Sequence, residues 1–92
     1  MITGRQVRAA RALLNWKQEM LAERALVALT ALKRLESERQ LQVHEGTRDQ
    51  VRRVLEAAGI IFVESDRGRG VMLLHEAEPA TRPARRPATL KR

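Results

Sequence analysis

"KQEMLAERALVALTALKRLE", residues 17–36, decides the fold because it reads as two short amphipathic helices separated by a break. The first helix is predicted over about residues 18–25, and its inward positions are Leu21, Ala22 and Ala25. The second is predicted over about residues 28–37. Its residues separate at helical spacing into an inner stripe of Ala28, Ala31, Leu32 and Leu35 and an outer stripe of Thr30, Lys33, Arg34 and Ser37.

Helices are also predicted on both sides of this pair. Thr3 is a good N-cap for a helix over about residues 4–14, and Asn15 is a suitable end for it. After a loop over residues 37–46, Thr47 is the predicted cap of a fourth helix that stops at Gly59. The apolar stripe of this fourth helix is Val51, Val54, Leu55 and Ala58.

After Gly59 the apolar residues no longer follow the helical period. Two β-prone runs, residues 60–64 and 71–75, flank a polar turn that contains glycine, and this pattern is typical of a hairpin. Because side chains alternate along a strand, one face is expected to pack on the fourth helix and the other on a second subunit. Residues 77–92 contain three prolines and little apolar surface, so we expect a disordered basic tail. The predicted organisation is a helical domain over 1–59, a hairpin over 60–76 and this tail.

Composition limits the class of protein. The 92-residue chain has a net charge of +7 and no cysteine, so it has neither disulfides nor thiolate metal sites. Residues 77–92 hold five basic side chains and one acidic side chain, and a basic balance favours polyanions. No apolar run reaches the length of a signal peptide or a membrane span, which predicts a cytoplasmic protein that does not bind membranes. Aromatic residues make up 2% of the chain, too few for a surface that stacks single-stranded bases.

No pattern in the chain is typical of an active site. His44 and His75 are the only histidines, and neither has the ligand spacing of a zinc site. "DRGRG", residues 66–70, lacks both the following helix and the Lys-Ser/Thr ending of a phosphate-binding loop. We therefore expect no enzymatic activity, no metal and no cofactor.

Arg11 is a charged residue on an apolar stripe. It shares one face of the first helix with Val7, Ala10 and Leu14, and a charge in such a place is rarely buried without a partner. Glu36 lies beside the inner stripe of the third helix, so an Arg11–Glu36 ion pair follows if these two helices pack together. The alternative is that both side chains extend to water.

Residues 4–58 resemble the Cro/repressor-type helix-turn-helix proteins, the XRE-like family of small bacterial transcriptional regulators. The resemblance rests on "RQVRAARALLNWKQEMLAERALV" and "LKRLE", and above all on "ARALLNWKQEMLAERA", residues 10–25. It implies a mainly α fold of four to five helices, here with a C-terminal hairpin. The second and third helices would form the DNA-binding pair, with the third in the major groove. It also implies that Arg11 and Glu36 form a structural ion pair.

The resemblance further implies a set of DNA contacts. Gln18 matches the glutamine that the family uses against the DNA backbone. Thr30 and Arg34 match positions that face base edges, with Leu29 beside them, and Lys33 matches a position near phosphate. Arg39 and His44, in the loop that follows, are further expected phosphate contacts. The expected partner is double-stranded DNA, bound by a homodimer that pairs through the hairpin.

Several residues depart from the family pattern. Leu26 replaces a glycine at a position that often needs a positive φ, and Lys17 and Ala28 replace the usual helix caps. Met20 replaces an acidic residue. Because Met20, Leu26 and Leu29 add apolar surface, an alternative function is a protein-binding module on a helix-turn-helix scaffold, such as an anti-activator or an antitoxin-like partner.

Overall fold

Four α-helices and one antiparallel hairpin make up the part of the chain that the computed structural model describes, residues 1–37 and 43–75. The elements are α1 Gly4–Leu14, α2 Gln18–Ala25, α3 Leu29–Glu36, α4 Glu45–Ala57, β1 Ile60–Ser65 and β2 Gly68–Leu73. The predicted bounds of α1 and α2 are confirmed, and those of α3 are correct to one residue at each end. None of the described helices has the length and apolarity needed to cross a bilayer.

Helix α1 begins and ends where its local sequence predicts. Thr3 Oγ1 accepts a hydrogen bond from the Gln6 backbone N–H at 3.2 Å, and the Thr3 N–H donates to Gln6 Oε1 at 3.0 Å. This reciprocal capping box satisfies two donors at the helix start that would otherwise have no partner. At the other end Asn15 adopts the left-handed conformation, with φ 60°, which asparagine tolerates well.

The turn between α2 and α3 is closed by backbone geometry without side-chain caps. Leu26 has φ 58° and ψ 42°, so the predicted need for a positive φ at this position is confirmed. The Val27 N–H then donates to the Ala22 carbonyl at 3.0 Å, a bond typical of a helix end that turns through a left-handed residue. Neither Lys17 nor Ala28 makes a side-chain capping bond. Ala28 was predicted to face inward but is exposed, because it ends the turn and precedes the first turn of α3.

Helix α4 starts two residues before the predicted cap. His44 occupies the cap position, and Thr47 lies in the first turn, where its N–H donates to the His44 carbonyl at 3.1 Å. Arg48 explains the difference, since its Nη1 donates to the Ile2 carbonyl at 2.8 Å and fixes this turn against the N-terminus of the chain. A tertiary hydrogen bond from a charged group thus outweighs the local preference of threonine for a cap, which is worth about 1 kcal/mol. Gly59 ends the helix as predicted, with φ 105°.

One apolar core joins the helices and the hairpin. Its buried members come from all four helices, the first strand and Ile2 before α1, and the largest fully buried ones are Val7, Leu21, Leu32, Val51 and Leu55. The N-terminus of α1 lies very close to the end of α3: a Cβ added to Gly4 would stand 2.3 Å from the Leu35 carbonyl oxygen. Glycine is therefore required here by the approach of two backbones and not by its φ.

The hairpin has a two-residue turn at Asp66 and Arg67, with Ser65 opposite Gly68. The predicted glycine-containing turn was therefore too long, because Gly68 and Gly70 belong to β2. The expected packing on α4 is correct for β1, whereas β2 packs on α1. Gln6 of α1 makes this contact specific, since its Nε2 donates to the carbonyls of Val63 and Gly70 at 3.3 and 2.9 Å.

The two faces of the hairpin are unequal. Residues at even positions of β1 and their partners on β2 turn toward the helices, and these inner apolar residues are Ile60, Phe62, Val71 and Leu73. The opposite face carries the exposed residues Ile61, Val63 and Met72. The alternation argued from the sequence is thus present, and three apolar side chains lie uncovered on one face of the sheet in the free chain.

Candidate nucleic-acid interface

The Arg11–Glu36 pair joins three helices at one point. Arg11 Nε donates to Glu36 Oε2 at 2.7 Å and Arg11 Nη2 donates to Glu36 Oε1 at 2.8 Å, in the two-point geometry that arginine and carboxylate favour. The Glu36 side chain is only 3% exposed, so the prediction of a buried pair holds for the carboxylate. Arg11 also donates from Nη1 to the Trp16 carbonyl at 3.1 Å. The position of α3 relative to α1 and α2 is therefore fixed by charged hydrogen bonds as well as by apolar packing.

Gln18 has a different contact from the one its place in the sequence implied. Its Nε2 donates to Glu36 Oε1 at 2.9 Å, so in the free protein this amide is part of the ion-pair network. An amide NH2 group carries two hydrogens, and only one is used in this bond. The side chain is half-buried at the start of α2, so a backbone phosphate would meet an amide that the protein already orients.

Three of the four residues of the predicted outer stripe of α3 are exposed, whereas Ser37 is half-buried and follows the helix end. Thr30, Lys33 and Arg34 all face away from the core. Because the carboxylate of Glu36 is turned inward and paired, Lys33 and Arg34 are the only charged side chains that this helix presents to solvent. The exposed surface of α3 is thus cationic, with one hydroxyl.

Leu29, expected beside these residues at the base edges, is only half-exposed and packs against the core. The hydrophobic effect draws it inward, since it starts α3 on the border between the two stripes. It therefore adds less apolar surface to this side of the helix than the sequence suggested.

Arg34 stands between two concave surfaces. On one side, Thr30, Ala31 and Arg34 line a cavity together with His44 and Thr47 at the start of α4 and with Val43. On the other side, Arg34 lines a larger cleft that reaches α1 and the turn of the hairpin. The predicted contacts Thr30, Arg34 and His44 therefore meet around one cavity, whereas Lys33 and Gln18 lie outside its lining. Arg39 lies outside the described residues, as do residues 77–92.

The apolar residues that motivated a protein-binding function do not form one patch. Leu26 is 83% exposed and Met20 is 37% exposed. Met20 lies in the first turn of α2 and Leu26 follows its last turn, so six residues, about 9 Å along the helix axis, separate them. With Leu29 turned to the core, Leu26 remains as a single exposed apolar side chain at the turn.

Sequence reasoning missed Gln6 and Arg48. Each is a polar side chain whose acceptors lie in a distant segment: Val63 and Gly70 for Gln6, and Ile2 for Arg48. On sequence alone Arg48 looks like a solvated helix residue. Gln6, three residues after Thr3, fits the capping-box pattern, but nothing local marks its bonds to the hairpin.

No group of three histidine, aspartate or glutamate side chains within residues 1–37 and 43–75 is arranged to hold a metal ion. A scan of protein-family models and a search of curated proteins found no match to this sequence.

Proposed function

We propose that the chain is a sequence-specific double-stranded DNA-binding transcriptional regulator of the Cro/repressor helix-turn-helix type, with α3 as its recognition helix. The observation that carries the proposal is the exposed surface of α3, whose charged members are Lys33 and Arg34 and whose own carboxylate is buried against Arg11. A helix that enters the major groove must present cationic and hydrogen-bonding side chains on one face and pack firmly on the other.

Arginine is the residue that most often reads a guanine, because its two parallel N–H groups match O6 and N7 in the major groove. Arg34 occupies this role in the proposal, and Thr30 contacts a neighbouring base edge or thymine methyl. Lys33, Gln18 and His44 contact backbone phosphates, which fix the protein on the duplex without reading sequence. Arg39 and the basic residues of 77–92 add further phosphate contacts.

The test separates base reading from general attraction. Arg34→Ala should cost about 1–3 kcal/mol at one position of each half-site and relax the preference there, whereas Lys33→Ala should weaken binding to all sequences alike. Arg53→Ala is a matched control, because Arg53 is an exposed arginine on α4. Its partner Asp49 also pairs with Arg52 at 2.9 Å, so Asp49 keeps a partner in this variant. If Arg34→Ala leaves the selected motif unchanged, α3 does not read bases.

We also propose that the protein acts as a homodimer through the outer face of the hairpin. Ile61 and Met72 are directly opposite each other on the two strands, and Val63 extends the same face. An open strand edge beside an apolar face invites pairing with another chain, and a two-fold axis there would present two copies of α3 to one duplex.

Sedimentation of the wild type beside an Ile61→Lys/Met72→Lys variant tests the dimer. Phe62 is unsuitable for this test because it lies on the inner face. Leu13→Lys changes another exposed apolar residue, on α1, and should leave the dimer intact. A wild type that is monomeric at micromolar concentration without DNA would contradict the proposal.

One observation favours the alternative, a protein-binding module. Leu26 is a large apolar side chain that is exposed and held in a left-handed conformation, where leucine costs about 1–2 kcal/mol relative to glycine. Strain of this kind persists where a site needs the side chain. Salt separates the two functions, because affinity for duplex DNA falls steeply with salt and an apolar protein contact does not.

A further inference from the structure

Arg67 and Arg69, the two exposed arginines at the end of the hairpin, line one cleft together with Arg34 and Leu35 of α3. In the register of the sheet, Glu64 and Arg69 are opposite each other. They are the next pair on the inner face, closer to the turn than the pair Phe62 and Val71. Phe62 and Val71 pack against the core, whereas Glu64 and Arg69 are exposed beyond it. The polar end of the hairpin thus projects past the helices on the side opposite Ile61 and Met72.

This polar end forms one wall of the cleft that Arg34 lines on its hairpin side. We name this cleft the basic cleft. Its charged lining consists of five arginines and two carboxylates: Arg5, Arg34, Arg48, Arg67, Arg69, Glu64 and Asp66. Basic side chains outnumber acidic ones in this lining, and arginine is the side chain best shaped to bind phosphate oxygens at two points.

The arginines of the basic cleft differ in how they are paired. Arg48 donates to the Ile2 carbonyl and lies 3.5 Å from Glu45. Arg69 lies 3.2 Å from Glu64, but both side chains are about half exposed, and such a pair is too weak to hold the arginine against a phosphate. Within residues 1–37 and 43–75, no ion pair involves Arg34 or Arg67.

A helix in the major groove has DNA backbone close to its exposed side chains. Such a helix has a sugar-phosphate backbone on each side, across a groove about 12 Å wide. Arg34 lines both the cavity beside His44 and Thr47 and the basic cleft, which extends to the end of the hairpin. A strand that passes beside Arg34 would therefore run along the basic cleft.

We infer that the end of the hairpin is a second DNA-contacting element, in which Arg67 and Arg69 bind the phosphates of a strand that runs along the basic cleft. The inference rests on the proposed function and deepens it. It divides the hairpin between two uses, since the outer face serves the second subunit and the polar end serves the duplex. Asp66, at the same turn, opposes the phosphates and limits the affinity.

The experiment is the salt dependence of duplex binding by the full chain. Each phosphate that a protein neutralises contributes about 0.9 to the slope of log affinity against log salt. Arg67→Ala should flatten the slope by about this amount and leave the selected base motif unchanged. The fold is preserved in this variant, because the turn bond from the Arg67 backbone N–H to Ser65 Oγ, at 3.1 Å, does not use the side chain.

Two further variants test whether the effect depends on the position and the sign of the charge. Arg53→Ala removes an exposed arginine outside the basic cleft and should leave the slope as in the wild type. Asp66→Asn removes a negative charge from the turn and should raise affinity. If Arg67→Ala and Arg53→Ala both keep the wild-type slope while the wild type selects a motif, the inference is wrong and the proposed function stands. If the wild type shows no salt-dependent duplex binding, both are overturned.

Discussion

Arg11→Met tests whether the ion pair that joins α1, α2 and α3 holds α3 in place. The substitution keeps much of the aliphatic stem and removes the guanidinium, so it leaves the Glu36 carboxylate, 3% exposed, without its main partner. Removing one member of a buried pair costs about 3–5 kcal/mol. Two features lower the expected loss: Gln18 still donates to Glu36 Oε1 at 2.9 Å, and Arg11 itself is 19% exposed. We therefore expect a loss of about 3 kcal/mol in the free energy of unfolding.

Urea denaturation measures this loss. Trp16, the only tryptophan, is a suitable fluorescence reporter because its carbonyl accepts from Arg11 and the Arg24 guanidinium lies 4.7 Å from its ring centroid. Far-UV circular dichroism should give the same midpoint if unfolding is two-state. The double variant Arg11→Met/Glu36→Leu should recover most of the loss, since no charge is left buried. A loss below about 0.5 kcal/mol in Arg11→Met, as for an exposed pair, would refute the reasoning.

Three further substitutions test individual features of the fold. Leu26→Gly should raise the free energy of unfolding by about 0.5–1 kcal/mol in urea denaturation, because relief of left-handed strain exceeds the added chain entropy and no packing is lost; Asn15→Gly should gain less, and an unchanged Leu26→Gly would contradict the strain. Gly4→Ala should lower the unfolding free energy by about 1–3 kcal/mol, because its Cβ would stand 2.3 Å from the Leu35 carbonyl oxygen. Gly46→Ala in α4 meets nothing within 4 Å and should be neutral or stabilising; equal effects at the two glycines would rule out the close approach. Gln6→Glu keeps the acceptor for the Thr3 N–H but loses the donor to Val63 and Gly70, so a loss of about 1–3 kcal/mol and faster amide exchange in the hairpin are expected; unchanged exchange there would show that Gln6 does not hold the hairpin.

Local signals were sufficient for much of the fold. Helix α1 starts after Thr3 because Thr3 has a capping side chain, and it ends before Asn15 because asparagine tolerates a positive φ. Gly59, which also has a positive φ, ends α4. The place of Arg11 on an apolar stripe, close to Glu36 if α1 and α3 pack together, predicted the ion pair that is present. These features depend on interactions between residues close in sequence or on a single strong constraint.

Features that depend on distant contacts were not predictable from the sequence. The start of α4 is set by Arg48 and the Ile2 carbonyl, 46 positions apart, and this contact overrides the cap preference of Thr47. The packing of β2 on α1 depends on Gln6, whose acceptors lie 57 and 64 positions away. In the candidate site, the exposure of Thr30, Lys33 and Arg34 could be predicted from the helical period. Leu29 lies on the border of that stripe, so only the packing of the folded chain determines whether it is exposed.

The central claim is that α3 reads the sequence of double-stranded DNA, and selection of bound duplexes from a random pool tests it most directly. The account predicts enrichment of a motif with two inverted half-sites, centred about 10 base pairs apart, with a guanine preference in each half-site that Arg34→Ala removes. A bound pool with the same base composition at every position as the input pool would contradict the claim.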